Sequence, residues 1–156
     1  MLPISFLIED FGTLESVRDQ ARTVRTASNR YEAAQILKEI IEHGPYTSKS
    51  GLTARISGKS IGKLVSSEAV NASFCQEAHY LAVANIDTLF PNAIEPWGFG
   101  LNPSKNNDGL KNRHYLYAPM IFHERMAMVK FTVKEYINTD LANKMYSIEV
   151  IDTDLG

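Results

Sequence analysis

Three observations predict an α+β domain with helices first and an antiparallel sheet last. Tyr31, Ala34, Leu37 and Ile41 recur at helical spacing within the stretch from Leu14 to His43. Beyond residue 113 the period falls to two, most clearly at Ala127, Val129, Phe131 and Val133. Between these regimes lies a long connection, 91–112, with three Pro, three Gly and five Asn. Helices segregated from a later run of strands are the mark of the α+β class. The 156 residues suit one domain, 1–156, whose helical N-terminal part spans 14–48.

The elements follow in order. Residues 1–12 hold an apolar run, Ile4 to Ile8, that reads as a short strand or a leader. The helical stretch is interrupted near Ser28-Asn29, where Asn29 suits the cap of a second helix, and Gly44-Pro45 ends it. Leu52, Ala54 and Ile56 alternate as a short strand. Ser57 is placed to cap a short helix running to Val65. Ser73 is placed to cap a longer one, Phe74 to Phe90, with Gln76 at the reciprocal position and Pro91 as the stop. The connection is long for a compact domain, so a binding or lid role is considered, with Trp97 and Phe99 folding back as an apolar anchor or covering substrate. Strands are expected at His114–Phe122, Met126–Lys134 and Met145–Ile151. Pro119 lacks an N–H, so its strand should be an edge or be bulged there.

Composition narrows the function. Sixteen Lys and Arg face 18 Asp and Glu, a net charge of -2, which excludes a generally basic nucleic-acid binder but not a local basic patch. The single cysteine, Cys75, excludes an intrachain disulfide framework. The histidines form no HExxH pattern, and no carboxylate cluster has histidine at ligand spacing, so neither metal nor cofactor is expected. No basic flank leads into a long apolar stretch at the N-terminus, and no apolar run reaches ~18 residues. A cytoplasmic protein without membrane contact is expected.

Several groups are suited to phosphate chemistry. From His43 to Ser67 there are Lys49, Arg55, Lys59 and Lys63 and no acidic residue. Lys59 and Lys63 share a helical face, with Ser60 and exposed glycine backbone beside them, a setting that can receive phosphate or simply be a solvated surface. His79 falls near the edge of an apolar helical stripe, where it is either structural or a proton-transfer group at a cleft. Alternation places Arg113, Tyr115 and Tyr117 on one strand face and His114 on the other. Arg113 can bind phosphate bidentately, and the tyrosines can stack on bases or pack in a sheet. Lys130, Thr132 and Lys134 oppose the apolar set of their strand, where Lys130 can neutralise a phosphate and Thr132 donate to it. Strict alternation sends Tyr146 and Ser147 to opposite faces. Such groups together can cleave RNA without a metal: one takes the 2′-hydroxyl proton, another protonates the departing 5′ oxygen, and cations stabilise the charge between them.

The order of GLTARISGKSIGKL (51–64), AHYLAVANIDTLFPNA (78–93), RHYLYAPM (113–120), VKFTVKEY (129–136) and YSIEV (146–150) resembles the barnase–EndoU–colicin E5/D–RelE group of small nuclease domains. The versions in phage and mobile-element polyvalent proteins are the most similar. The resemblance covers about residues 50–152, the nuclease-like region. It implies helices packed on a curved antiparallel sheet of about four strands, and a metal-independent endoribonuclease acting as a toxin or as a phage or mobile-element effector. It implies RNA as partner, with an immunity or antitoxin protein as a second. The residues it implies are His79, Lys59 or Lys63 of the basic helix, Arg113 or His114 of the first strand after the loop, Lys130 and Thr132 of the next, and Tyr146 or Ser147 of the last. His79 or His114 would act as base or acid, Lys130 and Arg113 would hold the phosphate, and Thr132 or Tyr146 would orient it. From their own chemistry, Lys59, Ser60, Lys63 and Tyr117 are expected to bind substrate. The alternative is a non-catalytic RNA- or protein-binding domain.

Overall fold

A computed structural model describes residues 12–96, 110–138 and 140–155. The apolar run at Ile4 to Ile8, and Trp97 and Phe99 of the long connection, lie outside the described residues. Helix α1 spans Leu14–Gln20 and is capped by Thr13, whose hydroxyl accepts from the Ser16 N–H. Helix α2 spans Arg30–His43. Asn29 caps it as its position predicted, accepting from the Glu32 N–H at 3.0 Å. The Glu32 carboxylate answers by accepting from the Ser28 N–H, so two donors at the helix start are satisfied. The predicted strand at 52–56 is shorter: β2, Thr53–Ala54, pairs with β1, Tyr46–Thr47, and the next residue, Arg55, makes a single bridge to Lys144.

The middle of the chain departs from the sequence reading. A 3₁₀ turn at Gly58–Ser60 leads into a one-turn helix α3, Ile61–Leu64. Ser57 makes no backbone cap; its hydroxyl meets that of Ser60 at 3.0 Å. A further helix, α4 (Ser67–Ala72), is capped by Ser66. The long helix expected from Phe74 to Phe90 is two short ones, α5 (Gln76–Val83) and α6 (Ile86–Leu89), followed by a 3₁₀ turn at Phe90–Asn92. Cys75, not Ser73, is the cap of α5. The break falls at Asn85, which is fully buried. Its side-chain oxygen accepts from the N–H groups of Val24 and Arg25, and its amide donates to the carbonyls of Arg25 and Leu81. Three of those bonds fasten the 21–29 loop to the helices, and the fourth ties Asn85 back to α5.

The C-terminal sheet matches its three expected strands: β3 (Leu110–Phe122), β4 (Arg125–Tyr136) and β5 (Lys144–Leu155), antiparallel in the order β3-β4-β5. β3 is an edge, as Pro119 requires. A two-residue turn, His123-Glu124, joins β3 to β4 with positive φ at both positions. The curved sheet of about four strands is not found: among the described residues the main sheet has three strands and is not curled. The reason lies in the ladders. The β3–β4 ladder runs without a shift from Asn112 to Phe122, and the shifts fall at three separated places, Leu110/Asn112, Met126/Ala127 and Thr132/Val133. Curling needs bulges repeated in a concerted pattern along one side.

The inner sheet face carries the core. Leu116, Phe131, Val133, Met145 and Ile148 pack with Leu37, Ile40, Val83, Ile86 and Leu89, all buried. Phe90 and Phe131 meet edge to face at 5.2 Å. On the outer face a smaller cluster of Val17, Ala21, Met126 and Met128 seats α1 over the hairpin end. The opposite end of that outer face holds the polar residues of the strands.

Candidate functional site

Register assembles the outer face in rows. Arg113 pairs with Lys134, Tyr115 with Thr132 and Tyr117 with Lys130 across β3 and β4. Thr132 pairs in turn with Ser147, and Lys130 with Glu149. The sequence expectation for β5 fails at one point. Thr132 pairs with Ser147 while its neighbour Val133 pairs with Met145, so Tyr146 is an extra residue in a bulge. Met145 and Ile148 are buried, and Tyr146 and Ser147 between them both belong to the outer side. A single inserted residue thus re-aims a side chain, which is a common use of a bulge.

Tyr146 is the centre of the site. The Lys63 ammonium, from α3, stands 3.1 Å from its ring centroid, and that of Lys134 stands 3.6 Å away. Arg113 adds its charge nearby. Contact with the Lys63 ammonium is the largest reason that the Tyr146 phenol is held below its ordinary value; burial opposes it, and the charges of Lys63, Lys134 and Arg113 add to it. Arg113 Nε is buried and has no hydrogen-bond partner among the described residues. A desolvated guanidinium N–H with no acceptor is a costly feature. One row away the Lys130 ammonium lies 4.7 Å from the Tyr115 ring centroid.

The remaining candidate residues sit elsewhere. His79 is fully buried on the inner side. Its Nε2 donates to the Leu64 carbonyl at 2.7 Å, and its Nδ1 accepts from the Ser73 hydroxyl at 2.8 Å. The Ser73 oxygen in turn accepts from the Val150 N–H of β5. Ser73 was expected to cap a helix; its hydroxyl instead links His79 to the sheet. Burial pushes the His79 imidazole down, against the opposing effect of the Leu64 carbonyl. His114 lies on the inner side too, between Glu95 at 2.6 Å and Glu135 at 2.9 Å. The His114 bond is the first cause holding the Glu135 carboxyl below its usual range, with burial opposing and Asn112 and Lys111 assisting.

Of the basic segment, Lys63 brings its ammonium to Tyr146, and Arg55 meets β5 through its backbone, in a bridge to Lys144. Lys59 is exposed, and Ser60 is buried against Ser57. Tyr117 is partly buried beside the small outer cluster, and burial is the first cause raising its phenol. Thr132 is almost covered, between Tyr115 and Ser147. The structure therefore brings Arg113, Lys130, Thr132, Tyr146 and Lys63 to one face and leaves His79, His114, Lys59 and Ser60 off it. Lys134 and Ser147 join the group. Alternation already placed Lys134 there, whereas nothing in the sequence signals the bulge that brings Tyr146 alongside Ser147. Among the described residues, no group of three or more His, Cys, Asp or Glu is arranged to hold a metal ion. No described helix is long and apolar enough to cross a membrane.

Fold and face together define a small α+β domain with a cationic, tyrosine-centred sheet surface. Residues 25–146 match the large polyvalent protein-associated domain 3, and the chain belongs to that family, a domain associated with the polyvalent proteins of phages and mobile elements. The match indicates no particular nuclease family. Neither the curated proteins nor the solved structures searched contain a match.

Proposed function

We propose that this domain is a metal-independent endoribonuclease that lays an RNA strand across the outer sheet face. The observation that carries the reading is the convergence of Lys63, Lys134 and Arg113, from three different elements, on Tyr146. Cations fixed in place before substrate arrives favour the extra negative charge of a phosphorane-like transition state over the ground state. Arg113 and Lys134 would hold the scissile phosphate. Tyr115 beside Lys130 offers an adjacent base a stacking face. Thr132 and Ser147 supply hydroxyl groups in the row between. The substrate's own 2′-hydroxyl would be the nucleophile, which restricts cleavage to RNA.

The test is incubation of the purified chain with mixed RNA in EDTA, followed by analysis of the product ends. A 2′,3′-cyclic phosphate and a 5′-hydroxyl are expected, with no cleavage of the matching DNA. Retained RNA binding without cleavage at high protein concentration would leave a non-catalytic binding module in its place. Metal-dependent cleavage would discard the proposed chemistry.

A further inference from the structure

We infer that Tyr146 is the general base of the reaction: its phenolate oxygen takes the 2′-hydroxyl proton, and an ammonium of the Lys63–Lys134 pair supplies the proton to the leaving group. The inference rests on the ribonuclease reading and assigns its proton transfers. Histidine is the usual first choice for such work. Here both histidines near the sheet are on its inner side with both ring nitrogens already engaged, His79 by Ser73 and Leu64 and His114 by two carboxylates. A base needs an acceptor atom that the substrate can reach. Tyr146 is on the open face, in the bulge, with two ammonium groups against its ring. Cations that close stabilise the phenolate over the phenol, consistent with the lowered phenol.

The step balances without a further reactant. The 2′-oxygen gives its proton to the phenolate as its electron pair forms the new bond to phosphorus. The bond from phosphorus to the 5′ oxygen breaks, and that oxygen takes its electron pair and a proton from the Lys63 or Lys134 ammonium. The products are a cyclic phosphate, a free 5′-hydroxyl, a neutral phenol and a neutral amine. Proton exchange with water resets the last two. The charged groups acting on the phenol are Lys63 of α3, Arg113 of β3 and Lys134 of β4, and the same sheet face also carries Lys130 of β4 and Lys144 and Glu149 of β5. Glu149, paired with Lys130, is the rival base on this face.

The experiment compares the wild-type chain with Tyr146→Phe and Glu149→Gln on one short RNA across a pH series. An all-deoxy strand of the same sequence measures binding, and far-UV circular dichroism checks folding. Tyr146→Phe is expected to lose ~10²- to 10⁴-fold in kcat, the range of a general acid–base group, and to keep its affinity for the deoxy strand. The rising limb of the wild-type pH profile should lie below the ordinary phenol value of about 10 and vanish in the variant. Site-specific 3-fluorotyrosine at position 146 keeps the ring and acidifies the phenol, so it should move that limb to lower pH even if Tyr146→Phe folds poorly. Wild-type cleavage with an unimpaired Tyr146→Phe, or with loss confined to Glu149→Gln, overturns the assignment alone. If the wild-type chain leaves RNA intact, the ribonuclease reading falls and the assignment falls with it.

Discussion

The two faces of β3, β4 and β5 come from one alternating pattern, yet they treat their polar groups in opposite ways. On the inner face every polar group described is answered. His79 has a donor and an acceptor, Ser73 connects it to β5, and His114 has a carboxylate on each side. On the outer face two ammonium groups stand against one ring with the Arg113 charge acting on it, and a buried Arg113 N–H has no partner among the described residues. The inner arrangement lowers the energy of the folded chain. The outer one gathers like charges at some cost to stability and would be relieved by an anion. Polar residues of similar type thus serve the fold on one side and a ligand on the other.

The strongest way to break this comparison is to remove an inner polar group. His79→Ala should cost about 3 kcal/mol, because a cavity forms and two buried partners lose their bonds. Urea unfolding measures it, and a loss under about 0.5 kcal/mol, as at an ordinary surface site, would erase the distinction between the faces. RNA affinity gives the next effect. Lys63→Gln combined with Lys134→Gln should flatten the slope of log affinity against log salt by about 1.4, the value for two phosphate contacts on a single strand. The same double variant should unfold at the wild-type urea concentration or slightly above it.

A pH series sharpens the inner side. Burial lowers the His79 value in the folded chain, so the unfolded chain binds the proton first as pH falls. The stabilisation is complete above the unfolded value of about 6.5 and is lost as pH falls from there toward the folded value. Urea midpoints should decline across that window, and His79→Gln should remove the part of the slope due to this group. The smallest effect belongs to Lys59→Ala. Its side chain is exposed and away from the sheet, so stability should stay within about 0.5 kcal/mol of wild type. RNA affinity should hardly change, which a titration at fixed salt would check.

Periodicity carried the sheet in the sequence because each strand is long and one of its faces is buried. Alternation at Ala127, Val129, Phe131 and Val133 admitted one reading. The helical middle was less legible. Its breaks come from tertiary bonds: Asn85 binds a loop some sixty positions earlier in the chain, and Ser73 binds the sheet. Local patterns do not register partners that distant. The site was divided in the same way. Lys130, Thr132, Lys134 and Arg113 followed from alternation, whereas Tyr146 reached the centre through a bulge that shifts the period by one. His79 looked like a residue at the edge of a stripe, but Leu64 and Ser73, the latter at the end of an α4 that the sequence reading missed, engage both its ring nitrogens.

Pro119 has a consequence for the behaviour of the protein at high concentration. Along the outer margin of β3, Tyr117 exchanges both backbone bonds with Ile94, Pro119 has no N–H to offer, and the Ile121 N–H is taken by the Ala21 carbonyl. An approaching strand from another molecule finds no ladder there to extend, so this margin resists the end-on zipping that begins amyloid-like assembly. The guard depends on the stretch around Ile94 staying docked. Conditions that detach it would make an otherwise well-behaved domain sticky along that margin before the rest of the fold is lost.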